Sequence, residues 1–364
     1  MFPYVFIFIM LSILSFSHFI KGLKEKKLFF FIYCSLLLVL FAGLRKNGVG
    51  ADDISYYNFF LERTPDLYQW VFGSYVYDIS EHFMEPGYVL INSVIRVFTD
   101  SYIVLFFVIS SLSVGIAAYN YKRYSKYVFL TFLLFFVHTY LYRDMNQIRS
   151  AVAAAICLFL IAQIHKKEHM KIWLTLFFAS VFHVASLSVA VAYILSFIKV
   201  TRKRVLIAYI LSFLMGAIGI SQIALSVVPG GGFFASKLHS YTANGSYANA
   251  VSFFDVTNVK NSFVLIFILI FWERLEKKVP YFATLVLFYL LAVGIRLAFW
   301  DLGVIAARIS TFFAMVEVIL IPYFVTIFRQ KILVTTVIIL YAFITLYLNL
   351  FIKSGRYPYE LSIF

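Results

Sequence analysis

The residues best suited to chemistry in this chain are arginines, carboxylates and a histidine that interrupt long apolar runs. The stretch 45–56, RKNGVGADDISY, directly follows the apolar run 28–44. An arginine fork grips phosphate or carboxylate through two hydrogen bonds, and carboxylates or histidine can act as general bases. These chemistries make Arg45, Asp52, Glu85, Arg149, His183 and Arg308 the candidates for binding or acid–base work on an anionic substrate.

The stretch 45–56 has more than one interpretation. Gly48-Val49-Gly50 has no strand before it and no Walker lysine after it, so a tight turn is favoured over nucleotide binding. Asp52 is either an acid or base of the site or the cap of a helix that begins near Ile54. For Asp53 the capping role is favoured, and a divalent metal held by both carboxylates is a minor alternative.

The later groups also have structural alternatives. Glu85 precedes Pro86, so it is either the N-cap side of a helix or a buried acid that faces a cavity. His183 lies in FASVFHVASLSVA and is either a satisfied core residue or a candidate base. Ser186 could orient it, but no nucleophile elbow accompanies the pair. Asn146 and Gln147 stand beside Arg149 at a predicted helix start, where an anion is stabilised.

Composition places these residues in a membrane protein. Hydrophobic residues make up 63% of the chain and charged residues 13%, and the apolar runs are long enough to cross a bilayer as helices. The net charge of +14 is spread over short clusters between these runs, so the basic residues indicate cytoplasmic loops and not nucleic-acid binding. Cys34 and Cys157 lie within apolar runs, so neither a disulfide nor a metal site is expected, and no cofactor is predicted.

The basic clusters predict a topology with both termini outside. We expect a single membrane domain, 1–364, with about 10 full spans and a broken-helix hairpin near 172–198 whose two helices meet near His183. The outer face would carry the loops 45–101 and 229–258, and a first run without a cleavage site is read as a retained span. The predicted full spans are 4–20, 28–44, 102–120, 127–142, 149–164, 205–228, 261–273, 280–299, 305–328 and 332–352.

The arginines are biased towards the predicted outer face. Positive charge inside satisfies the topology whether it comes from lysine or arginine, so this bias needs a second explanation. Snorkelling and pairing with Asp144, Asp301 or Glu317 is one explanation, and the binding of an anionic substrate is the other. The outer arginines are Arg45, Arg63, Arg96, Arg143, Arg149, Arg296, Arg308 and Arg356.

Several of these motifs, taken in order, resemble the EpsG-like branch of the Wzy polysaccharide polymerases. The similarity begins with Arg45, Val49-Gly50-Ala51-Asp52 and Tyr56, and it extends over roughly residues 40–330. Ala51 and Ser150 depart from the family pattern, which often has Thr and Gln there. The remaining matching motifs are Glu85-Pro86-Gly87-Tyr88, Asn146 to Ala153, Phe182-His183 with Ser186, and Arg308-Ile-Ser-x-Phe.

The resemblance implies a glycosyltransferase of the C-type membrane fold that joins lipid-linked repeat units on the outer face of the bacterial inner membrane. It implies an undecaprenyl-diphosphate-linked glycan as donor, no metal, membrane lipid around the protein, and a flippase and a chain-length regulator as partners. Arg45, Arg143, Arg149 and Arg308 would bind the diphosphate. His183, Asp52 or Glu85 would serve as the base, and Tyr56, Asn146 and Gln147 would orient the substrate.

Two alternative functions use similar residues. A flippase or transporter for the lipid-linked unit should show repeated halves and charged residues deep in the bilayer. An O-antigen ligase-like transferase or an acyltransferase would differ in its acceptor or donor. The sequence shows no clear internal repeat and gathers its charge at the predicted outer face, so a polymerase is favoured.

Overall fold

The computed structural model of the protein describes residues 1–20, 22, 25–73, 75, 77, 84–220, 252–352 and 357–362. The regular structure in these ranges is helical, with an isolated antiparallel bridge between Arg45 and Leu361, so the predicted all-α class is confirmed. The α-helices are α1 (Phe2–Ser15), α2 (Lys27–Gly43), α3 (Asp53–Asn58), α4 (Leu67–Val71), α5 (Pro86–Arg96), α6 (Tyr102–Tyr124), α7 (Val128–Phe135), α8 (Ile148–Cys157), α9 (Leu160–His165), α10 (His169–Ser180), α11 (Ala190–Leu195), α12 (Arg202–Ile218), α13 (Val256–Ile270), α14 (Trp272–Glu276), α15 (Phe282–Ala298), α16 (Gly303–Ala314), α17 (Glu317–Leu320), α18 (Phe324–Ile327) and α19 (Lys331–Tyr347).

Many of these helices are apolar enough for a membrane interior. Five helical segments within the described ranges have the length and composition to cross a bilayer on their own. Shorter apolar helices lie between them, so the chain is a polytopic helical membrane protein. The five segments are Phe2–Phe19, Tyr102–Tyr124, Ile148–His165, Trp300–Ile327 and Lys331–Ile352, and the shorter helices are Lys27–Gly43, Val128–Tyr140, Val184–Leu195, Val256–Ile270 and Phe282–Ala298.

Two predicted regions are more broken than the sequence suggested. The predicted span 305–328 is divided into α16, α17, a 3-10 turn at Ile321–Tyr323 and α18. Pro322 lies in that turn, where it cannot donate a helical hydrogen bond. The predicted outer loop 45–101 contains the short helices α3 and α4 as well as α5. Of the second predicted loop, 229–258, residues 229–251 lie outside the described ranges.

The predicted break near His183 is present. Helix α10 ends at Ser180, and a 3-10 segment, Val184–Val189, leads into α11. The beginning and the end of the region meet, because Nζ of Lys167 donates to the carbonyl of Ser196 at 2.7 Å. The ring of His169 is also 2.6 Å from the Tyr193 hydroxyl. The chain therefore returns on itself, as a hairpin does.

The chain forms two compact units, of which the first comprises Met1–Leu160, Trp173–Leu187 and Ile321–Phe364. At its centre α6 packs against α2 and α8. Gly43 permits the approach to α2, because an added Cβ would lie 2.8 Å from Cα of Phe107. Buried alanines at 153–155 give α8 a narrow face, and small residues are what bring membrane helices close together.

The second unit comprises Ile161–Ile172 and Ser188–Leu320. In it α15 packs against α12 and α16. An added Cβ at Gly216 would lie 2.1 Å from the Leu297 carbonyl oxygen, and one at Gly294 would lie 2.8 Å from Oγ of Ser212. Glycine on each helix therefore sets the distance between α12 and α15.

Candidate functional site

Arg45 anchors a tight turn between α2 and α3. Its Nε and Nη2 donate to the two carboxylate oxygens of Asp53 at 3.0 and 2.7 Å, and its Nη1 donates to the Ala42 carbonyl. The guanidinium also lies 4.2 Å from the centroid of the Phe106 ring. Both charged side chains are fully buried. Such an ion pair is sustained only by good geometry, and the structure thus gives Arg45 an internal partner.

Asp53 does not cap α3, which corrects the prediction. Its Oδ2 accepts the backbone N–H of Gly50 at 2.7 Å, in addition to Arg45. The turn itself is as predicted: Gly48 has a φ of 94°, and an added Cβ at Gly50 would lie 2.1 Å from the Met145 carbonyl oxygen. Glycine is required at position 50 because the chain passes so close to Met145.

Asp52 lies at the N-cap position of α3, but its side chain makes no capping hydrogen bond. Its backbone N–H donates to Oδ1 of Asn146 at 2.8 Å. Asn146 therefore ties the turn to the start of α8. Gln147, at the N-cap of α8, approaches the Tyr142 hydroxyl at 3.4 Å. The substrate-orienting roles predicted for both amides stay predictions.

The second group of predicted residues is centred on Glu85. One carboxylate oxygen of this buried side chain accepts a hydrogen bond from Nη1 of Arg149. The other lies 3.5 Å from Nδ1 of His183 and accepts the backbone N–H of Val184 at 3.4 Å. Arg149 is 18% exposed and His183 is 24% exposed, whereas Glu85 is 8% exposed. One buried acid thus holds two partly exposed basic side chains.

The elements that position Glu85 follow from Pro86 and Gly87. Proline occupies the first turn of α5, where a missing N–H costs nothing, and Glu85 is its N-cap without a side-chain cap bond. The N–H of Gly87 donates to the Val181 carbonyl at 2.8 Å, and an added Cβ would lie 2.6 Å from Cγ1 of Val181. Glu85 thus lies at the N-cap position of α5 and is buried, and its role as an acid or base stays a prediction.

Two tyrosines lie beside Arg149. Its guanidinium carbon is 5.7 Å from the ring centroid of Tyr56, and that ring meets Tyr88 edge to face at 5.6 Å. Burial raises the pKa of Tyr56 above its usual value, while Arg149 opposes that shift. Burial also raises the pKa of Tyr88. Both phenols are therefore neutral near pH 7 and available as hydrogen-bond donors.

Arg143 lies in the segment before α8 and is buried. Its Nη1 donates to the Ser150 carbonyl at 3.0 Å, and its side chain is 1% exposed. The neighbouring Asp144 accepts the Ser113 hydroxyl at 2.6 Å, and burial raises the pKa of this carboxyl to about 6. An anion from outside could reach Arg143 only if the surrounding residues moved.

The remaining predicted residues are distributed as follows. Arg308 is half-buried on α16 and belongs to the second unit. Ser186, named as a possible partner of His183, is buried, and its hydroxyl has no hydrogen-bond partner among the described residues. Nδ1 of His183 accepts the Ala185 N–H at 3.3 Å and faces Glu85. The structure therefore brings together Glu85, Arg149, His183 and Tyr56 in the first unit.

Sequence reasoning missed two features of this region. It did not pair Arg45 with Asp53, and it gave no role to the C-terminal residues. The N–H of Lys46 donates to the Glu360 carbonyl and the N–H of Ser362 donates to the Leu44 carbonyl, both at 2.9 Å. Opposite charges at Lys46 and Glu360 were the available signal, because their side chains form an exposed ion pair at 2.7 Å.

These features define a polytopic helical membrane protein with an arginine–glutamate–histidine site in its first unit. The model of the EpsG family matches residues 28–361, nearly the whole chain, and the chain belongs to that family, as its motifs predicted. The amylovoran biosynthesis protein AmsC of Erwinia amylovora is 26% identical over 315 residues, which cover 84% of this chain and 81% of the relative. No solved structure shows a significant match.

Proposed function

We propose that this protein polymerises undecaprenyl-diphosphate-linked oligosaccharide repeat units. Membership of the EpsG family supports this function, as does a relative named for the biosynthesis of amylovoran. The structural observation that carries the proposal is the buried Glu85 carboxylate, which contacts Arg149 on one side and faces His183 on the other. A cationic fork and a candidate base are thereby held by one acid.

The chemistry needs both groups. The acceptor hydroxyl attacks the anomeric carbon of the donor glycan, a new C–O bond forms, and the bond from that carbon to the lipid diphosphate breaks. The hydroxyl proton passes to His183, and Arg149 stabilises the charge that develops on the departing diphosphate. Glu85 keeps the His183 ring oriented, and the neutral phenol of Tyr56 adds a donor beside Arg149.

The other predicted residues have different roles in this proposal. Arg45 and Arg143 are enclosed, so we assign them to holding the turn and the start of α8. The diphosphate-binding role of Arg308, which belongs to the second unit, stays a prediction from the sequence. Asp52 is the second candidate base, with a half-buried side chain.

The proposal also includes the setting of the reaction. It places the site on the outer face of the bacterial inner membrane, with both termini outside, about 10 spans and a C-type fold. The positive-inside clusters and the apolar helices support this arrangement.

The decisive experiment replaces Arg149 and His183 in a polymerase-deficient strain and in purified protein. Arg149→Ala and His183→Gln should each lower the rate of elongation by about tenfold or more and leave single-repeat glycans on the lipid. Arg63→Ala, on an exposed residue, is the matched control and should leave long polymer. Long polymer from protein that lacks both Arg149 and His183 would contradict the mechanism.

One observation favours transport as a second candidate function. Nζ of Lys260 lies 2.9 Å from Oε1 of Glu317, and the Glu317 side chain is 4% exposed within the apolar segment Trp300–Ile327. Charged pairs inside spans are common on substrate and ion pathways. Proteoliposomes decide between the two functions: a polymerase elongates lipid-linked repeats without an ion gradient, whereas a transporter moves them and leaves their length unchanged. A ligase would attach the glycan to a different acceptor, so the length of the product and the group to which it is attached distinguish a ligase from a polymerase.

A further inference from the structure

Helices α4 and α5 present an unusual surface, with polar groups turned inward and apolar groups turned outward. Nε1 of Trp70 donates to Oγ of Ser93 at 3.0 Å, and that hydroxyl donates to the Pro65 carbonyl at 2.7 Å. Ser93 and Asn92 are both buried on α5. The contact between α4 and α5 is therefore partly polar, and the outward-facing sides of the two helices take no part in it.

The outward side of α5 is an apolar stripe that continues past the end of the helix. Its members recur at helical spacing and include no charged residue, and Phe98 is 83% exposed. A helix covered by water shows the opposite arrangement, with polar residues outside. The stripe consists of Leu90, Val94, Val97 and Phe98, and exposed Tyr68, Val71 and Phe72 of α4 and its C-terminal end add to the apolar surface.

We propose that this α4–α5 surface lies in the bilayer, at the boundary between headgroups and acyl chains, so that α5 is a membrane-embedded helix that does not span. Exposed apolar patches of this kind mark membrane or protein contacts. Lipid is favoured because the surface continues into α6, a candidate span whose Val104 and Phe107 are also exposed.

The polar groups around this surface fit the same placement. Arg96, near the end of α5, pairs with exposed Asp100 at 3.2 Å and also donates to the Leu61 carbonyl. Arginine and aromatic side chains such as Trp70 are typical of the membrane interface. Because Glu85 is the N-cap of this same helix, lipid contact along α5 sets the depth at which the Glu85 site meets the membrane.

The test uses single cysteines in the full-length protein reconstituted in phosphatidylethanolamine–phosphatidylglycerol vesicles. Buried Cys34 and Cys157 are replaced by alanine, and a fluorophore is attached at Val94→Cys, Phe98→Cys or, as a control, Glu62→Cys. Lipids that carry a shallow spin label should quench positions 94 and 98 more than about twofold better than iodide does, as expected for an interfacial helix. The exposed acidic position 62 should show the reverse.

Two results would overturn the proposal. Iodide quenching at 94 and 98 equal to that at 62 would place the surface in water. Protection from both quenchers would show a protein contact, such as a second copy of this chain. Photolabelling of the unmodified protein with a diazirine lipid is independent of any substitution, and it should give adducts within residues 90–98; their absence there would also count against the membrane contact.

Discussion

At the residue scale, arginine has two different roles in this protein. Arg45 and Arg149 each pair with a carboxylate, but Arg45 is fully buried and Arg149 is 18% exposed. A buried pair that has all its partners is costly to open. The partly exposed arginine can exchange a contact with Glu85 for a contact with a phosphate oxygen, so Arg149 is the better candidate for substrate.

Asp144 should make the stability of the protein depend on pH. Its pKa in the folded protein is raised from 3.8 to about 6 by burial, against the opposing effects of the Ser113 hydrogen bond and of Arg143 and Arg45. The folded state therefore holds this proton more tightly than the unfolded state. The contribution to stability is complete below about pH 4 and is lost as the pH rises through about 6, a change of about 3 kcal/mol.

The Asp144→Asn variant tests this prediction. The amide keeps an acceptor for the Ser113 hydroxyl and does not titrate. Thermal unfolding in detergent should show that wild-type stability falls between about pH 4 and pH 6 while that of the variant changes less. Asp100→Asn, on an exposed side chain, is the control and should leave the fall intact. An equal fall in wild type and Asp144→Asn would refute the assignment.

Residue types were easier to predict than residue partners. Glu85, Arg149 and His183 could be singled out because each is a polar group beside or within an apolar run. The choice of Asp53 over Asp52 as the partner of Arg45 depends on the path of the chain through Gly48 and Gly50. A local rule favoured capping by Asp53, and the buried arginine outweighed that preference.

At the scale of elements, the site depends on the approach of α5 to the break after α10. Gly87→Ala should disturb that approach, because the new Cβ would lie 2.6 Å from Cγ1 and 2.9 Å from the carbonyl oxygen of Val181. Overpacking of this kind costs about 1–3 kcal/mol. The elongation rate should fall together with thermal stability, because Glu85 and His183 lie on the two sides of the contact.

Gly115→Ala is the matched control for that substitution. Gly115 lies on an exposed part of α6, and an added Cβ there would meet nothing within 4 Å. Alanine should raise helix stability there by up to about 1 kcal/mol. Full elongation activity in Gly87→Ala, or a loss of equal size in both variants, would show that the α5 contact does not position the site.

Elements were predictable where topology constrained them. Lysine clusters on both sides of 172–198 required a return of the chain, and the structure has its break at 181–183. The interruption between Ala314 and Glu317 was not predicted, because no residue there has a strong helix-breaking preference. The outer region was read as a loop because helices as short as α3 and α4 depend on tertiary contacts more than on sequence period.

At the scale of the whole molecule, the family match extends to residue 361, beyond the last helix. The contacts of residues 357–362 give the C-terminal end a structural role. The ring of Tyr359 stacks on Phe41 at 4.0 Å, and the Tyr102 hydroxyl is 3.0 Å from Oγ of Ser362. The C-terminal segment 357–362 thus packs against α2 and α6 beside the Arg45 turn.

Removal of residues 357–364 should therefore destabilise the first unit. It abolishes the backbone pairing at Lys46 and Leu44 and the aromatic stacking on Phe41, an aromatic pair being worth about 0.5–1.5 kcal/mol. The unfolding temperature should fall by a few degrees, on the order of 2–4 °C per kcal/mol, and the elongation rate should fall with it.

The control variant, Glu360→Gln, breaks the Lys46 ion pair alone. Because both side chains are more than half exposed, this variant should change the unfolding temperature little. Unfolding of the truncated protein at the wild-type temperature would show that the C-terminal segment does not stabilise the first unit. If Glu360→Gln reproduces the whole loss, the surface ion pair stabilises the turn, and the stacked and hydrogen-bonded segment 357–362 does not.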